Sequence, residues 1–107
     1  MTEFWLDNLT PEQTEMLRNA RDVNVLMGDG IEPGDVELFF GPLAGTEDVI
    51  LRALNPVPWS KLLVICGFFG SRRDAKGAGW DRAVEAGFSM HTIGKLRRNI
   101  AVLHAWR

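Results

Sequence analysis

The chain has 107 residues, of which 46% are hydrophobic and 24% charged, with a formal net charge of −2. This length predicts one domain, and the hydrophobic content excludes an intrinsically disordered chain. No apolar run approaches the roughly 20 residues that cross a bilayer, and the N-terminal residues do not follow the pattern of a signal peptide. We therefore expect a cytoplasmic protein that makes no contact with membranes.

The charges are distributed unevenly along the chain. Residues 1–69 carry four bases and eleven acids, whereas residues 70–107 carry eight bases and three acids. We divide the single predicted domain, residues 1–107, into an acidic helical and strand half (1–55) and a basic helix–helix–hairpin half (58–107). A basic half of this kind is typical of proteins that contact phosphate groups or an acidic partner. The alternative is that the two halves complement each other within the fold.

A helix is predicted to start at Thr10. Thr10 can act as N-cap, Pro11 suits the first turn, and Gln13 completes a capping box. The helix is predicted to continue to Gly28. Its apolar side chains recur at spacings of four, three and four residues, which places them on one helical face: Met16, Ala20, Val23 and Met27. Val23, Val25 and Met27 also alternate along the chain as in a strand, and valine is β-branched, so a strand is the alternative to a helix over residues 23–27.

The next elements are a turn, a short strand and a second helix. Residues 32–35 have the composition of a tight turn, which leads into a strand over residues 36–40. Thr46 is a candidate N-cap for a helix whose buried face is formed by Val49, Ile50, Ala53 and Leu54. Residues 55–58 include two prolines and predict a stiff linker.

The second half predicts two helices and a hairpin. One helix covers residues 59–66 and ends at Gly67, and Ser71 caps a short basic helix that Gly77 and Gly79 cut short. Residues 88–93 and 99–104 are expected to pair as strands. The predicted fold class is α+β, with three to four short helices and a small, mainly antiparallel sheet ending in a C-terminal β-hairpin. The expected core comprises Leu62, Leu63, Ile65, Cys66, Ile50, Leu54, Ile100 and Val102.

No catalytic residue, metal site or cofactor site is predicted. His91, His104 and Cys66 do not have the spacing of zinc ligands, and two histidines on a hairpin are usually structural. Cys66 lies in an apolar run, which predicts burial and low reactivity. The glycine pairs at residues 28–30 and 77–79 lack the spacing of phosphate-binding loops. We therefore expect a binding module rather than an enzyme.

One segment carries a family resemblance. A first helix contains Leu62 and Leu63, ends at Gly67 and is followed by the apolar residue Phe68. A second helix then contains Ser71, Arg72, Ala75 and Lys76. With the hairpin that follows, residues 60–103 resemble the α-L RNA-binding domain found in a small-subunit ribosomal protein, pseudouridine synthases and the tail of tyrosyl-tRNA synthetases. The resemblance implies contact with RNA phosphates through the second helix, at Arg72, Arg73 and Lys76.

Bases of the second half form the candidate nucleic-acid-binding set. We expect the hairpin loop to fold back beside the Ser71 helix, which would create one positive surface from Arg72, Arg73, Lys76, Lys95, Arg97 and Arg98. Flanking aromatic rings would stack on unpaired bases: Phe68, Phe69 and Trp80. The alternative is that these rings belong to the core and the arginines to a solvated face.

A second functional hypothesis is a protein-interaction adaptor or a phage-type inhibitor of a host complex that handles nucleic acid. The chain has four tryptophans and no tyrosine, and tryptophan is enriched at the energetic centres of protein interfaces. The candidate partner-binding residues are Trp5, Trp80 and Trp106. Binding to RNA that depends on salt, or recovery of a protein partner, would separate the two hypotheses.

Overall fold

The computed structural model describes residues 2–28, 49–94 and 97–105. These ranges contain five strands and three α-helices: β1 (Thr2–Trp5), α1 (Pro11–Asn19), β2 (Asp22–Met27), β3 (Val49–Ala53), α2 (Trp59–Ile65), α3 (Arg72–Ala75), β4 (Gly87–Ile93) and β5 (Arg98–His104). A 3-10 turn at Leu6–Asn8 follows β1, and a π-helical turn at Lys76–Trp80 follows α3. Within these ranges, no helix is long and apolar enough to cross a membrane.

Some predicted features lie outside the described residues. They are the turn at residues 32–35, the strand at residues 36–40, the Thr46 cap, and the side chains of Lys95 and Trp106.

The strands form one mixed sheet in the order β1-β3-β2-β5-β4. β1, β3, β2 and β5 are parallel neighbours, and β4 is antiparallel to β5. The predicted hairpin is confirmed, with Phe88 opposite Leu103 and Ile93 opposite Arg98. The expectation of a mainly antiparallel sheet is wrong, because three of the four pairings are parallel. Parallel partners lie far apart in the sequence, and local periodicity does not reveal such pairings.

Two predicted helical segments are strands. α1 ends at Asn19 and residues 22–27 form β2, so the alternative of a strand at residues 23–27 is the correct one. The helix predicted over residues 49–54 is also wrong, because residues 49–53 form β3. Parallel strands that are buried on both faces have continuous apolar runs, and such short runs fit a helical period as well as an extended one.

The predicted helix boundaries are confirmed where a local cap defines them. Thr10 and Gln13 exchange hydrogen bonds, Gln13 N to Thr10 Oγ1 at 3.2 Å and Thr10 N to Gln13 Oε1 at 3.1 Å. Ser71 Oγ accepts from Asp74 N at 3.2 Å. Gly67 ends α2 with φ +77°, and a Cβ there would lie 2.5 Å from Cγ of Arg18. Glycine is therefore required where the end of α2 meets α1.

The core has two parts. The larger cluster lies between the helices and the sheet and includes Leu62, Leu63, Cys66, Ile100 and Val102, all fully buried as predicted. A smaller cluster on the opposite face of the sheet contains Leu26, Ile50 and Leu103, with Phe88 packed against it. Two core assignments fail: Ile65 is only partly buried, and Leu54 is 52% exposed because it follows the end of β3.

Truncating a core leucine tests this arrangement. Leu63→Ala should lower the free energy of unfolding by about 2–5 kcal/mol, because it leaves a cavity at a fully buried position. Leu54→Ala is the matched control and should change the free energy by less than about 0.5 kcal/mol. Denaturant unfolding followed by circular dichroism measures both, and equal losses in the two variants would contradict the packing of α2 against the sheet.

Candidate functional site

Arg98, the first residue of β5, anchors the C-terminal end of α1. Its Nε donates to the Ala20 carbonyl at 2.9 Å and its Nη2 to the Leu17 carbonyl at 2.7 Å. The guanidinium also lies 4.3 Å from the ring centre of Phe68. The last carbonyls of a helix lack partners within that helix, so this cation both satisfies them and complements the helix dipole. Burial lowers the pKa of the Arg98 guanidinium. Two of its three nitrogen atoms are thus engaged inside the fold.

The anchor gathers three exposed arginines, which we name the hairpin patch: Arg18, Arg21 and Arg97. Arg97 precedes Arg98 in the hairpin turn and has a positive φ of 49°. Arg18 lies in the last turn of α1 against Gly67, and the carbonyl of Arg21 accepts from Asn99 N at 2.9 Å. Within the described part of the chain, none of these three side chains has a hydrogen bond or an ion pair.

Arg18 and Arg21 were missed by the sequence analysis. They belong to the acidic half, and counting charges by chain position does not show that the end of α1 lies beside the β4–β5 turn. The available signal was the strand alternative for residues 23–27, because a strand there requires the helix that starts at Thr10 to end near Arg18 and Arg21.

A second group of bases, which we name the α3 patch, consists of Arg72, Arg73 and Lys76. Nε and Nη2 of Arg72 donate to Oγ of the buried Ser60 at 3.3 and 3.2 Å, so this side chain is partly held within the fold. Lys76 lies 3.9 Å from the Asp81 carboxylate, and both side chains are exposed, so the pair is weak. Arg73 is exposed and without a partner among the described residues. Asp74 and Asp81 reduce the positive potential here.

One short segment of the chain connects the two patches. Arg98 covers Phe68, and Arg73 follows Phe68 by five residues. Five residues span at most about 18 Å, which sets an upper limit on the separation of Phe68 and Arg73.

Most of the predicted stacking rings are engaged within the protein. The rings of Trp59, Trp80 and His91 pack together with centroids 5.1–5.2 Å apart, and Arg82 lies 5.0 Å from the Trp80 ring centre. Phe68 is covered by Arg98, and Phe69 is half-buried against the core. These contacts favour the alternative that Phe68 and Trp80 pack within the fold, and they leave only part of each ring exposed.

Glu85 closes this aromatic cluster from the side of Trp59. Its Oε2 accepts from the Trp59 indole Nε1 at 3.4 Å, and its Oε1 lies 3.7 Å from Nε of Arg82. The pKa of the Glu85 carboxyl is lowered mainly by a hydrogen bond from the backbone N–H of Glu85 itself. The hydrogen bond from the Trp59 indole lowers it further. The carboxylate therefore helps to position the side chains of Trp59 and Arg82.

Of the other proposed partner-binding residues, Trp5 is 41% exposed on β1, at one edge of the described sheet. The guanidinium of Arg52 lies 5.7 Å from its ring centre. Trp5 therefore offers an amphipathic ring to a partner, whereas Trp80 is half-buried in the aromatic cluster.

The histidines and the cysteine do not form a common site. His91 is opposite Ile100 and His104 is opposite Gly87, so the two rings are separated by four positions of β5, about 13 Å. The predicted burial of Cys66 is confirmed, and burial raises the pKa of its thiol to about 12, against the opposing effect of Arg98. No group of three or more potential metal ligands occurs in residues 2–28, 49–94 and 97–105.

No protein-family model, curated protein or solved structure matches this chain. The resemblance of residues 60–103 to the α-L domain therefore remains a prediction.

The role of the anchor can be tested by comparing two neighbouring arginines. Arg98→Ala should lower the free energy of unfolding by about 1–3 kcal/mol, because it removes charge-assisted hydrogen bonds to the end of α1. Arg97→Ala, at the exposed neighbouring position, should change it by less than about 0.5 kcal/mol. Thermal or denaturant unfolding measures both, and an Arg98→Ala protein as stable as wild type would refute the anchoring role.

The thiol of Cys66 gives a second test. With its pKa raised to about 12 from 9.0, the thiolate fraction at pH 8 is about 1000-fold smaller than in the unfolded chain. Ellman's reagent should therefore react very slowly with the native protein and rapidly with one thiol per chain in guanidinium chloride. Fast stoichiometric labelling without denaturant would show that Cys66 is accessible.

Proposed function

We propose that the protein is a non-enzymatic module that binds RNA by its phosphate backbone through the hairpin patch and the α3 patch. The observation that carries the proposal is the gathering of Arg18, Arg21 and Arg97 around the Arg98 anchor. Exposed guanidiniums without internal partners are suited to phosphate, because their planar donor groups match its oxygen atoms.

The order of elements in the second half supports the same proposal. α2, α3 and the β4–β5 hairpin follow one another as the resemblance to the α-L domain implies. In this chain the hairpin also belongs to a larger sheet, because β5 pairs with β2 on its other side. The hairpin turn that carries Arg97 is therefore attached to a strand that is paired on both sides, which favours a fixed position for that phosphate contact.

The proposed contacts carry little sequence information. Phosphate contacts position a nucleic acid without reading its bases, and the Phe68 and Trp80 rings are engaged in the fold. Binding should consequently tolerate changes of RNA sequence and weaken steeply with salt. The acids within the α3 patch further predict modest affinity.

Replacing one arginine of the hairpin patch tests the proposal. Arg97→Gln should weaken binding of a fluorescein-labelled 12-nucleotide RNA of mixed sequence roughly 3- to 10-fold and reduce the slope of log affinity against log salt by about 1. Fluorescence anisotropy between about 25 and 200 mM salt measures both quantities. The physical reason is the loss of one phosphate contact.

Lys61→Gln is the control for net charge, because it removes one exposed positive charge near the start of α2, at the opposite end of that helix from the hairpin patch. Since Lys61 follows Ser60, which holds Arg72 of the α3 patch, it should weaken binding less than Arg97→Gln does. Equal weakening in the two variants would point to a diffuse effect of net charge. Absence of binding to single-stranded and duplex RNA at the lowest salt would refute the proposal.

A protein-interaction role is the second candidate, and the edge of the described sheet at β4 favours it. β4 has seven residues, none of them Asp, Glu, Lys, Arg or Pro, and its Met90 side chain is 67% exposed. Edge strands are commonly protected by charges or proline against added strands. An edge without this protection is suited to receive an extended segment of another protein.

Affinity purification from a nuclease-treated lysate tests this second candidate. A partner bound along β4 should be recovered with the wild-type protein and lost with Met90→Lys. Leu54→Lys is the control, because it places the same charge at another exposed apolar position. A partner that is retained by Met90→Lys but lost with Leu54→Lys, or recovered equally with all three proteins, would exclude β4 as the interface.

A further inference from the structure

A cavity of about 440 Å³ lies at the end of β5, opposite the end that carries Arg98. It is lined by residues 56–58, which follow β3, by Ala83, Val84 and Ala86, which precede β4, and by His104. An antiparallel bridge between Pro58 and Ala83 holds the two lining segments together. Cavities of this size are within the range that binds small organic molecules.

The cavity occupies a favoured position in a parallel sheet. β3 ends at Ala53 and β5 at His104, and both residues are paired with Met27 at the end of β2. The carboxyl ends of three parallel strands therefore meet at this edge. In open sheets with parallel strands, ligands usually bind just beyond the carboxyl ends.

His104 supplies the one titratable side chain of the lining. Its residue is only 7% exposed, and its Nδ1 lies 3.0 Å from the Val84 carbonyl oxygen. A carbonyl oxygen can only accept, so Nδ1 carries the proton and Nε2 of the neutral ring is left as an acceptor. Nε2 has no partner among the described residues. The buried ring is thus held in one tautomer by the wall of the cavity.

The rest of the lining is apolar and uncharged. It consists of proline, valine and alanine side chains. Glu85 lies between two lining residues, but its carboxylate contacts the Trp59 indole and Arg82. None of these other side chains could neutralise an ionised ligand, and burial of an unpaired charge is strongly unfavourable.

We propose that this cavity binds a small, uncharged and mainly apolar molecule that carries one hydroxyl, such as a simple phenol, and that the hydroxyl donates to Nε2 of His104. The apolar body of the molecule contacts the proline, valine and alanine side chains. With the ring of His104 neutral, a carboxylate is disfavoured, because it offers an acceptor to an acceptor and brings a charge without a partner. This site lies at the other end of β5 from Arg98 and the hairpin patch.

Two probes of nearly equal shape test the hydroxyl contact. 4-Methylphenol and toluene are titrated into the ¹⁵N-labelled full chain while amide shifts are followed by NMR. Both should move the signals of Val84, Ala86 and His104 in a saturable manner, with 4-methylphenol binding about 3- to 10-fold more tightly because of one additional hydrogen bond. Equal affinity of the two probes would refute the role of His104.

Variants locate the site. Ala86→Phe fills the cavity from an exposed position and should abolish binding of both probes, whereas Glu15→Phe, on the exposed face of α1, should leave both affinities unchanged. His104→Phe should make the two affinities equal. If that variant does not fold, the comparison of probes on the wild-type protein still decides the role of the ring. Binding that survives Ala86→Phe, or that shifts signals elsewhere, would overturn the proposal.

Discussion

The parallel pairing of β2 with β5 holds the two halves of the chain together. Six residue pairs, from Asp22–Asn99 to Met27–His104, join strands from opposite ends of the sequence. Val23, Val25, Ile100 and Val102 are almost completely buried along this seam. Since the helices pack on the same face, the position of β5 also fixes where α1 and α2 meet the sheet.

Both proposed sites follow from this placement of β5. Its first residue, Arg98, reaches the end of α1 and gathers the hairpin patch, whereas its last residue, His104, lines the cavity. The two residues are separated by six positions of an extended strand, about 20 Å. A nucleic acid on the hairpin patch and a small molecule in the cavity would therefore not compete for the same surface, and β5 would connect them physically.

The elements that the sequence predicted well are those defined by neighbouring residues. The caps at Thr10 and Ser71, the positive φ at Gly67 and the turn of the β4–β5 hairpin are all set by residues within a few positions. β2 and β3 were misassigned because four apolar residues in a segment of five or six fit either period, and only distant partners decide between them. Among site residues, Arg97 was predicted, but its neighbours Arg18 and Arg21 depend on where α1 ends in space. The cavity has no sequence motif, since it is formed by ordinary prolines, alanines and one histidine.

The central position of β5 also has a consequence for how the chain acquires its structure. Asp22 and Asn99, which hydrogen-bond across the seam, are separated by 77 positions, so the contact order of the sheet is high. Non-local pairing of this kind slows folding, because the entropy of closing a long loop opposes it before any contact compensates. During synthesis, β2 has no β5 partner until residue 104 has left the ribosome. Until then the apolar edge of β2 is exposed, and this interval is when the nascent chain is most prone to aggregation.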